Sequence, residues 1–366
     1  MSLHLRKLAA SPNGSKLRFI HRQAALANRR LIKGRDLTTM LLMLVAAPLV
    51  SVLPQSLCIR LGRLMGGLGA FVLDHVTGPS HAAAAGGVDR QSAKQILRES
   101  RRERITALML FLRGLIRGPR YLIQVEGKGH IDAALKAGNG AVLWIADFVY
   151  AGDISKIGLH AEGYLVSHLS RPEHGFSDTV FGLRFLNPLR TNFELRYLRE
   201  RVVYRRDQPG EATGKLIERL KSNCLVSILA SAYEGRSVLE TDFLNGRIQI
   251  ARGAPKTAYA AAAPILPVFV VPAAEPPAFR VIIEAPLAMS SRDREIAETT
   301  ATRDFLSRLE ANVRRRPGLW RGWAHLRVGD NEHPLAQQPQ AAAVKERLGG
   351  KGAPPNVAPP KQRHPA

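Results

Sequence analysis

The sequence predicts an α/β protein with a mostly parallel central sheet flanked by helices, preceded by an apolar, membrane-associating helical segment. Three observations predict this fold. Continuous apolar runs, GAVLWIAD at 140–147 and CLVSILAS at 224–231, are typical of strands buried on both faces of a parallel sheet. Stretches with helical periodicity alternate with such runs. An uncharged stretch at 37–59 follows directly after a basic one.

Composition divides the 366 residues into four segments and one linker. Residues 1–36 are basic, and residues 37–76 are the apolar segment. The α/β pattern occupies residues 93–328, after a linker at 77–92. Residues 329–366 are rich in Pro, Gln, Ala, Gly and Lys and lack apolar periodicity, which predicts a disordered tail.

The apolar segment has three interpretations. We expect a membrane-seeking helical hairpin or interfacial helix, because the basic run before it favours an anionic cytoplasmic leaflet. A single span is the rival, since the apolar stretch at 37–53 is near the lower limit of about 17 residues for crossing a bilayer. A buried core helix is the third interpretation.

The pattern along the α/β segment predicts the order of its elements. Apolar residues spaced three and four apart indicate helices, and short apolar or alternating runs indicate strands. Helices are predicted at 93–118, 130–138, 151–160, 211–221, 256–263 and 294–315. Strands are predicted at 121–127, 140–147, 164–169, 199–204, 224–231, 247–251, 264–272 and 279–287.

Charge and cysteine content limit the classes of partner and the kinds of site that the sequence predicts. The formal net charge of +23 attracts polyanions, which include nucleic acid, anionic lipid and an acidic carrier protein. Aromatic residues make up only 6%, and basic residues concentrate beside the apolar segment, so anionic membrane lipids are expected rather than nucleic acid. Cys58 and Cys224 form no CxxC, which argues against a disulfide framework and a zinc site.

Residues that carry chemistry follow three predicted strands. Sites in open α/β sheets form beyond the carboxyl ends of the strands, so these residues mark one edge of the sheet as the candidate site. They are Asp147 and Asp153 after the first buried strand, His168, Arg171 and His174 around the end of the next, and Glu234, Gly235 and Arg236 after the third.

Six segments stand out by their order and spacing over residues 41–327. They are LPQSLCIRLGRLMGGL (53–68), GAVLWIADFVYAGD (140–153), HLSRPEHGFSD (168–178), LIERLKSNCLVSILASAYEGR (216–236), TDFLNGRIQIARGAPKTAYAAAAPILPVFVV (241–271) and PGLWRGWAHLR (317–327). No single segment is specific, but in this order and at this spacing they resemble the lipid A biosynthesis lauroyl/myristoyl acyltransferases.

The resemblance implies a glycerolipid acyltransferase-like fold and transfer of a fatty acyl group from an acyl thioester to a lipid hydroxyl. The acceptor is of the lipid A or lysophospholipid type, and the donor is acyl carrier protein or acyl-coenzyme A. Neither a metal nor a redox cofactor is implied. The expected location is the cytoplasmic face of the bacterial inner membrane. Near the site, Arg171, Glu234, Gly235 and Arg236 are implied to bind substrate, and Arg suits bidentate phosphate contacts.

The resemblance breaks at the motif that carries the chemistry. The family has a His-x4-Asp/Glu motif in which the His is the general base and the carboxylate orients it. The position of that His is occupied by Asp147, and Asp153 is one residue further along than the motif requires. A carboxylate is a weak base unless burial raises its pKa.

Three outcomes are open. Asp147 itself takes over part of the histidine's role as the base, with burial raising its pKa. His168 or His174, with His160 as a third candidate, rebuilds a His–carboxylate pair with Asp147 or Asp153, provided that their strand neighbours the strand before Asp147. Alternatively, the chain is a catalytically inactive protein of the same fold that binds lipid or acyl carrier protein.

Overall fold

The computed structural model describes residues 30–68, 90–205, 208–231, 237–273, 278–289 and 291–327. Most of the predicted basic segment, all but the end of the predicted linker at 77–92, and the predicted tail at 329–366 lie outside these residues, so those predictions stand as they are.

Two consecutive helices form the apolar N-terminal region. Helix α1 spans Gly34–Val52, and helix α2 spans Gln55–Leu68. Pro54 separates them, because the residue before a proline is pushed to extended backbone, as Leu53 shows with φ −73° and ψ 143°. Both helices pack against α3, Arg90–Arg117, which is the predicted basic amphipathic helix begun three residues earlier.

A seven-stranded sheet forms the centre of the protein, in the order β1-β9-β8-β2-β5-β3-β4. Strands β2, β3, β4, β5 and β8 run parallel, whereas β1 and β9 run in the opposite direction, because β9 pairs antiparallel with β8. The prediction of a mostly parallel sheet is therefore confirmed. The strands are β1 Leu122–Glu126, β2 Ala141–Ala146, β3 Val166–Ser170, β4 Glu200–Val203, β5 Leu225–Ala230, β8 Ile265–Pro272 and β9 Ala278–Ile283.

Helices cover both faces of this sheet. The crossovers β2→β3 and β4→β5 proceed in opposite directions across the sheet, and because such crossovers are right-handed, their helices lie on opposite faces. On one face the Phe305 ring of α9 stacks on Trp144 of β2, with ring centroids 4.0 Å apart. The helices are α4 Lys128–Ala137, α5 Ala151–Ala161, α6 Asn187–Leu195, α7 Pro209–Lys221, α8 Gly253–Ala261 and α9 Arg294–Arg315.

Two features differ from the predicted pattern. Strands β6 (Val238–Phe243), β7 (Gly246–Ala251) and β10 (Leu326–Arg327) form a separate antiparallel sheet, of which only β7 was predicted. A π-helical turn at Gly182–Leu186 leads into α6, and neither was predicted. In addition, β5 lies between β2 and β3, so the strand that carries His168 does not neighbour the strand before Asp147.

Candidate functional site

The parallel strands bring three chain segments to one edge of the sheet. Asp147 follows the end of β2, Ser231 follows β5 and Arg171 follows β3. The Arg171 Nη2 atom donates to the backbone oxygen of Ser231 at 3.4 Å, which joins two of these strand ends. Asp147 and Arg171 thus follow strand ends at the same edge of the sheet, whereas His168 lies within β3.

Asp147 is buried at this edge and held by the C-terminal segment. Its Oδ1 atom lies 3.9 Å from Arg321 Nη1, and its backbone oxygen accepts from the Arg321 N–H at 3.0 Å. Burial raises the pKa of the Asp147 carboxyl, while the positive charges of Arg321, Arg104 and Arg171 oppose that rise. Asp147 is thus a carboxyl of reduced acidity with an arginine beside it.

Asp153 contacts an arginine rather than a histidine. It lies in the first turn of α5, and its Oδ1 atom accepts from Arg190 Nη2 at 2.7 Å. Arg190 lies on α6, where its guanidinium sits 4.9 Å above the Phe111 ring and its Nε donates to Glu194 Oε1 at 3.0 Å. The Asp153 carboxylate is therefore linked through Arg190 to a second carboxylate.

That second carboxylate, Glu194, is fully buried and has three cationic or ionisable partners. Its Oε2 atom accepts from Lys156 Nζ at 2.7 Å, and its Oε1 atom lies 2.7 Å from His174 Nε2. Burial disfavours the Glu194 charge, but Lys156, His174 and Arg190 hold its pKa well below the usual range. We call Asp153, Lys156, His174, Arg190 and Glu194 the Glu194 cluster.

The loop that carries His174 is fixed to the start of α6. Asn187 Oδ1 accepts from the backbone N–H groups of Phe176 and Ser177 at 2.7 and 3.0 Å. Gly175, with φ +147°, allows this approach, because a Cβ there would lie 2.5 Å from the Asn187 side chain. The His174 side chain is 31% exposed, so it is the member of the pair with Glu194 that a substrate can reach.

His168 has a different environment. Its Nδ1 atom lies 2.8 Å from Ser227 Oγ, its register partner on β5. Burial lowers the pKa of His168 well below 6.5, and the positive charge of Lys156 lowers it further. His168 is therefore a neutral, buried imidazole. The exposed His160 packs its ring against Tyr197.

The expected pairing of His168 or His174 with Asp147 or Asp153 does not form, for a topological reason. Strand β5 separates the end of β2 from the end of β3, and the Asp153 carboxylate already binds Arg190. A His–carboxylate pair does exist, but its carboxylate is Glu194.

Comparison with known proteins identifies the family. A family model described as "Bacterial lipid A biosynthesis acyltransferase" matches residues 41–328. The chain belongs to this acyltransferase family. No curated protein matches the chain. Among solved structures, it is similar to the 1-acyl-sn-glycerophosphate (LPA) acyltransferase PlsC from Thermotoga maritima, with 18% identity over 69% of this chain and 98% of that chain, and a TM-score of 0.31.

Within the lipid A acyltransferase family, the departure at the His-x4-Asp/Glu motif has a second interpretation. Counting back from Asp153 with the motif spacing gives Phe148, not Asp147. Phe148 is 1% exposed, packs against Phe269, and forms a backbone bridge with Trp320. Neither position carries an imidazole, so any catalytic histidine comes from another part of the chain.

The structure does not show what the remaining predicted site residues bind. Glu234, Gly235 and Arg236 lie outside the described residues, so their predicted substrate-binding roles stay predictions. Arg171 is exposed beside Ser231, and its role in binding phosphate also stays a prediction. No group of three His, Cys, Asp or Glu side chains within the described residues is placed to hold a metal ion.

The sequence did not indicate three members of the Glu194 cluster: Arg190 and Glu194, which link Asp153 to His174, and Lys156, which pairs with Glu194. Lys156 lies on the predicted helix after β2, and Arg190 and Glu194 lie on α6, which was not predicted at all. A signal was present, because Arg and Glu four residues apart often pair on a helix, but such pairs usually lie on solvated faces.

Proposed function

We propose that the protein transfers a fatty acyl group from an acyl thioester to a lipid hydroxyl at the cytoplasmic face of the bacterial inner membrane, with His174 as the general base. Family membership supports acyl transfer. The observation that supports His174 as the base is the 2.7 Å contact between its Nε2 atom and the buried carboxylate of Glu194. A histidine held by a carboxylate is the arrangement that activates hydroxyl nucleophiles in other enzymes.

The chemistry follows from this pair. With its proton on Nε2, the imidazole donates to Glu194 Oε1 and offers Nδ1 as the basic atom. The lipid hydroxyl loses its proton to Nδ1 as its oxygen attacks the thioester carbonyl carbon. The carbonyl re-forms as the C–S bond breaks, and the imidazolium returns the proton to the departing thiolate. Glu194 stabilises the imidazolium between these steps.

Basic residues around the strand ends suit the substrates. Both donor types carry a phosphopantetheine phosphate, and the acceptor lipid carries phosphate as well. Arg171 is exposed at the end of β3, three residues before His174. We propose that Arg171 and Arg236 bind such phosphates, since a guanidinium makes paired hydrogen bonds to them.

A second function is favoured by one observation. The motif positions hold Asp147 and Phe148, and Asp153 binds Arg190 in place of a histidine. This arrangement is what a lineage that has lost catalysis would show, so the second candidate is a non-catalytic protein that binds lipid or acyl carrier protein at the membrane.

An acyl-transfer assay separates the two functions. The purified full chain receives radiolabelled lauroyl-acyl carrier protein or lauroyl-coenzyme A in detergent micelles, with lysophospholipids or total membrane lipid as acceptors. We expect transfer by the wild type, a loss of about 10²–10⁴-fold in His174→Ala, and retained transfer in Asp147→Asn and in the control His160→Ala.

The reverse pattern, with activity lost in Asp147→Asn and kept in His174→Ala, would assign the base to Asp147. Absence of transfer from both donors, in a protein that still floats with anionic liposomes, would establish the non-catalytic function.

A further inference from the structure

Helix α1 presents two different faces. Its exposed apolar face consists of side chains that are between 49% and 67% exposed: Leu37, Leu41, Leu44, Val45, Leu49 and Val52. The opposite stripe is buried, and its Met43 and Ala47 pack in one cluster with Phe111 of α3 and Phe193 of α6. By length and composition α1 is able to cross a membrane, yet 33% of that stretch is buried within the protein.

The start of α1 is fixed to the segment before the π-helical turn. Asp36 is buried, and its Oδ2 atom accepts from Thr179 Oγ1 at 2.7 Å. The backbone N–H groups of Val180 and Phe181 donate to the carbonyl oxygens of Arg30 and Leu31 at 3.1 and 3.0 Å. These bonds tie the first turn of α1 and the residues just before it to the segment that immediately precedes the π-helical turn.

The other end of α1 is fixed as firmly. Arg113 Nε of α3 donates to the backbone oxygen of Leu53 at 3.2 Å. Helix α2 then packs so closely on α3 that a Cβ at Gly62 or Gly66 would lie 2.8 or 2.5 Å from backbone atoms of α3. The direction of α1 relative to the sheet is therefore set by contacts at both ends.

Exposed apolar side chains continue beyond α1. The π-helical turn contacts α1, and its Phe185 is 55% exposed. Leu189, in the first turn of α6, is 40% exposed. We call the exposed face of α1 together with Phe185 and Leu189 the apolar surface.

The charge around this surface fits an anionic bilayer. Residues 30–68 contain five basic side chains and one acidic side chain, and the acidic one, Asp36, is buried. One of the basic side chains, Lys33, is paired with Asp178 at 2.7 Å. Another basic side chain, Arg184, lies next to Phe185 and is exposed. Basic residues that flank an apolar helix face add about 1 kcal/mol each to binding at an anionic leaflet. The basic members are Arg30, Lys33, Arg35, Arg60 and Arg63.

We infer that α1 lies in the plane of an anionic bilayer and does not cross it, and that Phe185 and Leu189 enter the same leaflet. A spanning helix would have to leave the contacts of Asp36, Met43 and Ala47, whereas an in-plane helix keeps them and buries only its exposed face. This inference deepens the proposed membrane location and is independent of whether the chain catalyses acyl transfer.

In-plane docking also sets where the Glu194 cluster lies. Leu189 is the chain neighbour of Arg190, and both belong to α6 with Glu194. Helix α6 thus places Leu189 in the leaflet and contributes the adjacent Arg190 to the Glu194 cluster. A lipid hydroxyl at headgroup level then reaches His174 without its acyl chains leaving the bilayer.

Depth measurements test the inference directly. Single tryptophans replace Leu41, Leu49 and Phe185 in the full chain, which is bound to vesicles of phosphatidylglycerol and phosphatidylethanolamine that contain lipids brominated at defined depths. The three native tryptophans are buried and supply the background. We expect equal, shallow depths for Leu41→Trp and Leu49→Trp, quenching of Phe185→Trp, and no quenching of the control Ile296→Trp, whose site on α9 is 56% exposed.

A spanning helix would instead separate the first two probes by about 12 Å in depth, since eight residues rise about 1.5 Å each. That gradient, or an unquenched Phe185→Trp, would overturn the inference. Unquenched probes in a chain that cross-links to itself through α1 would show that a second copy covers the surface. Failure to bind the vesicles would overturn the membrane location, while acyl transfer in micelles is judged separately.

Binding strength gives a second measurement. We expect Phe185→Ser and Leu189→Ser each to weaken vesicle binding by roughly tenfold or more, because each removes apolar area that the leaflet buries. The matched substitution Ile296→Ser is expected to leave vesicle binding unchanged. Equal binding of all three variants would exclude the π-helical turn and α6 from the docking surface.

Discussion

The imidazole of His174 and the carboxylate of Glu194 lie 2.7 Å apart, although 20 residues separate them in the chain. The contact depends on the loop after β3 turning back onto α6 through Asn187. Since Glu194 has no exposed surface, its charge is stable only because Lys156 and Arg190 neutralise it from other directions. The pair is therefore part of a buried electrostatic unit.

If His174 is the base, external imidazole will restore activity to His174→Ala. The wild-type side chain is 31% exposed, so its removal opens a space that solvent and small bases reach. We expect transfer to rise with imidazole concentration in His174→Ala and to stay flat in Asp147→Ala. The measurement is the initial rate of acyl transfer at fixed pH. A purely structural role for His174 would leave the variant inactive at every imidazole concentration.

Lys156→Met should destabilise the protein strongly. The Lys156–Glu194 pair is 3% and 0% exposed, and breaking a buried pair costs about 3–5 kcal/mol. We expect the lower end of that range, because Glu194 keeps Arg190 and His174. Lys128→Met is the control, since the Lys128–Glu162 pair is 45% and 31% exposed and such pairs contribute about 0–1 kcal/mol. Denaturant unfolding of both variants gives the comparison, and equal losses would refute the buried-unit interpretation.

The parts of the fold that depend on local sequence patterns were predictable from the sequence, whereas those that depend on contacts between distant residues were not. The apolar run of β2 and the helical spacing of α9 are local patterns, and α9 appears at 294–315 as predicted. The strand order is not local, so the insertion of β5 between β2 and β3 was invisible. Glu194 was missed because α6 is short, follows a π-helical turn and carries few periodic apolar residues.

The free energy of unfolding should decrease as the pH falls below 6.5, in part because of His168. Its pKa in the folded state is well below 6.5, mainly because of burial, whereas the unfolded chain binds a proton near pH 6.5. As pH falls below 6.5, the unfolded state takes up a proton that the folded state excludes. The free energy of unfolding therefore decreases, by at most about 1.4 kcal/mol per pH unit for one proton.

His168→Asn isolates this contribution. The Asn side chain keeps a polar atom near Ser227 but has no proton to gain. We expect the wild type to lose stability more steeply than His168→Asn from pH 6.5 to 5, with parallel curves above pH 7.5. Unfolding in urea at a series of pH values measures both curves. Identical slopes below pH 6.5 would mean that His168 titrates normally in the folded protein.

Two glycines on α2 should respond in opposite ways to the same substitution. A Cβ at Gly66 would lie 2.5 Å from the Arg102 Cα, whereas a Cβ at Gly67 meets nothing within 4 Å. Gly66→Ala is expected to cost about 1–3 kcal/mol through overpacking. Gly67→Ala is expected to be neutral or to gain up to about 1 kcal/mol from helix propensity. Thermal unfolding compares them, and a stable Gly66→Ala would show that α2 packs less closely on α3.

The bond between Asp36 and Thr179 has a consequence for the order of events during synthesis. The two residues are 143 positions apart, so α1 leaves the ribosome long before its anchor exists. At about 5–20 residues per second, the delay is roughly 7–30 s. An apolar helix exposed to water for that time is prone to aggregate, whereas binding to a bilayer surface buries its apolar face. The nascent chain is thus expected to meet lipid first and to complete its fold there.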